Sequence, residues 1–105
     1  MSAQTVTLEA DKDGSGPLFR LRGQLGFAGV PGVLASGRQL FPASGDVRLD
    51  LGGLDSVNSA GLALLLEWQH EFKRSGREMK LLNIPATLIN IARLSELEPI
   101  LAITA

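Results

Sequence analysis

The run Val-Arg-Leu-Asp-Leu at residues 47–51 puts Val47, Leu49 and Leu51 on one side of an extended chain and Arg48 and Asp50 on the other. Side chains alternate across a strand, so this pattern describes a strand with one apolar face and one polar face. The pattern recurs twice. In "TVTLEA", Val6 and Leu8 oppose Thr5, Thr7 and Glu9; in "LFRLRG", Phe19 and Leu21 oppose Arg20 and Arg22. Strands covered by helices on both faces read instead as unbroken apolar runs. The chain is therefore expected to build a sheet with its helices mainly on one face. The other face would carry Arg20, Arg22, Arg48, Asp50 and Lys80, expected as solvated charge pairs.

Between these strands the pattern changes period. "FAGVPGVLASGRQLF" is apolar near helical spacing at Phe27, Val30, Val33, Leu34 and Leu40. It also holds Gly29, Pro31, Gly32 and Gly37, which predict a short or broken helix. "PASGD" and "GGLDSVN" are expected as loops, and "SAGLALLLEWQHEFKRSG" as the strongest helix, ended by Gly76. "EMKLLNI" follows as a strand. Pro85 is placed in the first turn of a last helix, "PATLINIARLSEL", and the tail "EPILAITA" is a short strand or a frayed end. The order is β-β-α-β-α-β-α, an α/β arrangement with a mixed sheet, in which each strand–helix–strand unit demands parallel neighbours and a right-handed crossover. Leu49, Leu51, Leu65, Trp68 and Phe72 are expected to meet between the sheet and the long helix.

Composition narrows the function classes. A chain of 105 residues is of one-domain size, so residues 1–105 are taken as a single domain. A formal net charge of −1 offers no basic face for nucleic acid. The absence of cysteine excludes disulfides and thiolate metal sites. "MSAQTVTLEA" lacks the basic start and apolar stretch of a secretory signal, and "GLALLL" is far short of the ~20 residues of a membrane span. A soluble cytoplasmic domain with no direct membrane insertion is the expectation.

Reactive side chains do not converge in the sequence. "DKDGSG" at residues 11–16 begins like a calcium loop, but the twelfth position, which needs a bidentate Glu, is Arg22, so the stretch is read as a hairpin connection. His70 is the only histidine, too few for a catalytic triad or a His-based metal site. It shares one side of the long helix with Ala63, Glu67, Glu71 and Arg74, a polar stripe suited to solvent or to a protein partner. No phosphate-binding or dinucleotide-binding glycine motif is present. No catalytic, cofactor or metal site is assigned.

The junction "LDSVNSAGLALLL" is the most informative stretch. A helix start exposes backbone N–H groups and partial positive charge. Asn58 and Ser59 are both good capping types. Ala60 and Gly61 follow, leaving those N–H groups little shielded. Gly61 costs about 1 kcal/mol against Ala inside a helix. That points to a close approach there by the sheet or by a partner. A phosphate on Ser59 would sit favourably at such a terminus.

Together, "VRLDLGGLDSV", "NSAGLALLLEW" and "GREMKLLNIPATLINIARLSEL" resemble a STAS domain, the fold of sulphate transporters and anti-sigma factor antagonists. "SAGLALLLEW" with "LLNIPATLINIARLSEL" is most similar to the STAS subunit of the Mla phospholipid ABC transporter. The resemblance implies a non-enzymatic binding protein without cofactor. Its partner would be the nucleotide-binding ATPase subunit of that transporter, which would hold it at the inner membrane from the cytoplasmic side. The implied docking residues are Asn58, Ser59, Ala60, Ala63 and Glu67. In the anti-sigma factor antagonists a Ser or Thr at this helix start is phosphorylated, which makes Ser59 a candidate phosphorylation site and an anti-sigma factor kinase the alternative partner. The sequence departs from the family at one place, where Asn58 stands in the position usually held by Asp.

Overall fold

A computed structural model describes residues 6–11 and 16–95. The elements follow in the expected order: β1 (Val6–Asp11), β2 (Leu18–Leu25), α1 (Val30–Leu40), β3 (Val47–Val57), α2 (Ser59–Arg74), β4 (Met79–Leu82) and α3 (Ala86–Leu94). The strands lie side by side in chain order, β1-β2-β3-β4. β1 pairs antiparallel with β2, while β2–β3 and β3–β4 are parallel; most of "DKDGSG", read as the connection between β1 and β2, falls outside the described residues. The tail "EPILAITA" falls outside the described residues.

The alternation in the sequence places the core. Val6, Leu8, Phe19, Leu21, Val47, Leu49, Leu51, Met79 and Leu81 are buried on one face of the sheet. They form one cluster with Val33 of α1, Leu62, Leu65, Trp68 and Phe72 of α2, and Leu88 and Ala92 of α3. All three helices therefore share one side of the sheet. Phe41, just after α1, fills the angle between α1 and α2. Its ring meets Phe19 and Trp68 edge to face at 4.9 Å and Phe72 at 5.7 Å, the perpendicular geometry that ring quadrupoles favour. α2 ends as expected at Gly76, whose φ of +73° lets the Arg77 N–H donate back to the Phe72 carbonyl at 2.8 Å. The Arg77 guanidinium lies 4.1 Å above the Phe72 ring and donates to the carbonyls of Pro42 and Gly45, tying the α1–β3 loop to α2.

Several expectations need correction. "GGLDSVN" is not a loop: β3 runs on to Val57, pairing with β2 as far as Leu25. The strands approach so closely at Gly53 that a Cβ there would stand 2.9 Å from the Arg22 side chain and 3.0 Å from the Leu21 carbonyl oxygen. Glycine is what lets the strand continue, through two irregularities of register. α1 is unbroken over eleven residues. Pro31 sits in its first turn, where no N–H is needed, and Gly37 lies against Trp68 and Phe41, where a side chain would not fit. Pro85 stands one residue earlier than expected, as the N-cap of α3.

The polar face also differs in one respect. Arg22–Glu9 is an exposed ion pair, as expected, but Asp50 is buried, with 7% of its surface exposed. Its carboxylate accepts from the Gly52 N–H at 2.8 Å, the Asn83 side-chain amide at 3.1 Å and the Arg20 guanidinium at 2.7 Å. Arg20 also pairs with Asp11, so the cluster joins β1, β2, β3 and the turn after β4. Burial pushes the Asp50 carboxyl up, but the Gly52 N–H, Asn83 and Arg20 outweigh it and hold the group below the usual carboxylate range.

Candidate functional site at the start of helix α2

The junction between β3 and α2 is capped by Asn58. Its backbone is extended (φ −120°, ψ −171°), and its Oδ1 accepts from the N–H of Ala60 at 2.9 Å and of Gly61 at 3.4 Å. The Asn58 carbonyl accepts the first helical bond from Leu62 at 3.1 Å, and its own N–H donates to the Leu25 carbonyl of β2 at 3.2 Å. Of the two capping candidates, Asn58 does the work. Ser59 is the first residue of α2 and is exposed.

Gly61 answers to the sheet. A Cβ on it would stand 2.6 Å from Val57 Cγ2 and 2.9 Å from Leu25 Cγ, so the close approach foreseen at this position is made by β2 and β3. The helix start is thereby pressed onto the ends of the two central strands. What remains outward is small: exposed Ser59, half-buried Ala60 and exposed Ala63, with exposed Glu67 one turn further on. His70, Glu71 and Arg74 continue this exposed side towards the end of the helix.

A feature that the periodicity did not single out adjoins the junction. The β2–α1 loop packs on the cap: a Cβ on Gly26 would lie 2.9 Å from Asn58 Nδ2. Beside this contact runs an open groove of about 400 Å³, lined by Gln24, Gly26, Phe27, Ala28, Ser56 and Asn58. Phe27 stands 77% exposed on its rim. The sequence placed Phe27 on a helix face. A second hollow, about 440 Å³ between α2 and β4, is lined by Leu66, Gln69, His70, Lys73, Arg77 and Met79 among others. Among the described residues no group of three or more His, Asp or Glu side chains is placed to hold a metal ion. No helix among them is long and apolar enough to cross a membrane.

The comparisons with known proteins agree with this architecture. None of the curated proteins matches the chain in sequence. Among solved structures it is similar to the anti-sigma factor antagonist SpoIIAA in its unphosphorylated form, with a TM-score of 0.68 at 20% identity over 94% of this chain and 89% of that one. It is also similar to an antisigma-factor antagonist STAS domain from Rhodobacter sphaeroides, with a TM-score of 0.61 at 21% identity over 77% of this chain and 89% of that one. At such identities these likenesses establish the fold, a mixed sheet with three helices. The model of the family described as "Mlab, STAS domain" matches residues 8–102, nearly the whole length, and the chain belongs to that STAS family.

Proposed function

We propose that this protein is a non-enzymatic cytoplasmic subunit that binds and stabilises or regulates the nucleotide-binding ATPase of a bacterial Mla-type phospholipid ABC transporter. Family membership supports the class of partner. The observation that carries a docking role for the junction is the division of labour at the start of α2. Asn58 satisfies the cap and Gly61 the sheet, while Ser59, Ala60 and Ala63 remain outward with no bulk to hold a partner away. Glu67, His70 and Glu71 supply a polar rim of the kind that surrounds a close-packed interface. Binding one conformation of the ATPase better than another would shift its population, and that is regulation without chemistry. The protein would reach the inner membrane only through this partner.

The test is co-purification of the full chain with the ATPase from the native host, followed by affinity measurements on Ser59 variants. Ser59→Arg should abolish binding while its melting curve matches that of the parent. Ser59→Glu should also abolish binding and should melt no lower than Ser59→Arg, because a helix N-terminus favours negative charge. Full-strength binding by well-folded Ser59→Arg removes the junction as the docking surface.

One observation favours a second reading. Because Asn58 makes the cap, the exposed Ser59 hydroxyl is not needed for it and is open to a kinase. In this reading the protein is an anti-sigma factor antagonist. Phosphorylation would add a charge of about −2 to a face that must pack closely, and release the partner. Recovery of an anti-sigma factor kinase in place of an ATPase and a permease would decide for it.

A further inference from the structure

We infer that Phe27 is the apolar anchor of the docking surface, and that it enters an apolar pocket of the ATPase bordered by basic side chains. This rests on the reading that an ATPase docks at the start of α2. A single exposed apolar residue usually needs no explanation, but the setting of Phe27 differs from that of Leu94, which is 87% exposed at the far end of α3. Gly26, Ala28 and Gly29 flank the ring, so its neighbours in the chain cannot cover it.

The loop is also held in place. The Gly26 carbonyl accepts from the N–H groups of Gly29 and Val30, both at 3.1 Å, and closes a tight turn. Gly26 rests on the Asn58 side chain, while the Asn58 N–H is bonded to the Leu25 carbonyl. Turn and helix cap thus form one piece, with the ring presented beside the docking residues. A rigid aromatic side chain loses little conformational freedom on binding, and for this reason aromatic anchors dominate interface energetics.

Charge selects the partner. In residues 24–31, around the β2–α1 loop, and 55–69, from the end of β3 into α2, the only ionisable side chains are Asp55 and Glu67, and both are exposed. The chain's 10 Lys and Arg residues all lie outside these two segments. An acidic pair without Lys or Arg in these segments complements a basic surface. It would repel its own copy in a two-fold contact, where the same patch faces itself.

The experiment measures affinity of the full chain for the purified ATPase subunit of the native host's transporter, over a range of salt concentrations. Phe27→Ser should weaken binding by roughly 30-fold or more, the loss expected for a hot-spot residue. Phe27→Trp should retain binding, and Leu94→Ser should leave it unchanged. Ala28→Arg, which sets bulk beside the ring without touching the core, should also abolish it. Binding by the parent should weaken with added salt, and less so in Asp55→Asn. If the parent binds the ATPase while well-folded Phe27→Ser and Ala28→Arg bind as tightly as the parent, the anchor is overturned and the proposed function stands. If the parent binds no ATPase, both fall. A parental dimer that Phe27→Ser dissolves would assign the ring to self-association and overturn the inference.

Discussion

Asn58 and Ser59 are neighbours of nearly equal capping preference, and the structure divides two roles between them. The extended backbone of Asn58 aims its Oδ1 at the N–H groups of Ala60 and Gly61, whereas Ser59 has already entered the helix. Asn58→Ala should therefore cost about 0.5–2 kcal/mol, the range for a lost N-cap. Ser59→Ala should stay within about 0.5 kcal/mol, as an exposed substitution with no such role. Urea unfolding of the two variants distinguishes them, and equal losses would show that the cap is shared. Asn caps as well as Asp does, so this helix start is made without a charged side chain at the cap. Gly61 teaches a related lesson. Its low helix propensity is legible in the sequence, but the reason for it, Val57 and Leu25 within contact of a missing Cβ, belongs to the packing of α2 on β2 and β3.

At the scale of elements, β3 holds the molecule together. It lies between β2 and β4, receives α2 at its end, and carries the buried Asp50 on the face away from the helices. The sign of the pH dependence follows from that carboxylate. Its folded pKa lies below the unfolded value of about 3.9, so between the two the unfolded chain binds more protons. The stability it contributes is fully present above the unfolded pKa and is lost as pH falls through the folded one. Urea titrations in acid should show parental stability falling more steeply below about pH 4 than that of Asp50→Asn, which has no proton to gain at this site. Parallel curves would show that Asp50 is not held below its ordinary value.

At the scale of the molecule, the one-sided arrangement leaves α2 as both core and surface. Leu65, Trp68 and Phe72 face the sheet while Ala63, Glu67 and His70 face outward. A charge reversal on the outer side tests that separation. Glu67→Lys should keep the parental unfolding curve within about 0.5 kcal/mol, as an exposed substitution does. It should slow association with the ATPase and weaken the complex at low salt, as changes to rim charges do. Calorimetry and stopped-flow kinetics check both halves, and unchanged affinity would remove Glu67 from the interface while leaving the small-residue junction in it.

The sequence by itself determined the order of elements, the face of each strand that turns inward, and the five residues Leu49, Leu51, Leu65, Trp68 and Phe72 that meet in the core, all of them buried. Periodicity is a local property, and a period of two or of 3.6 survives without knowledge of what lies opposite. It also brought attention to the junction at residues 58–61, because capping preference and glycine cost are local too. Tertiary structure decided what depends on distant partners. Gly52 and Gly53 read as a loop until β2 lies alongside and turns them into strand. Asp50 read as solvated until Arg20 and Asn83, 30 and 33 residues away, close over it. Phe27 read as one apolar position in a helical pattern. Its exposure was set by the Gly26 turn resting on the cap of a helix that begins 32 residues later, a contact no local period encodes.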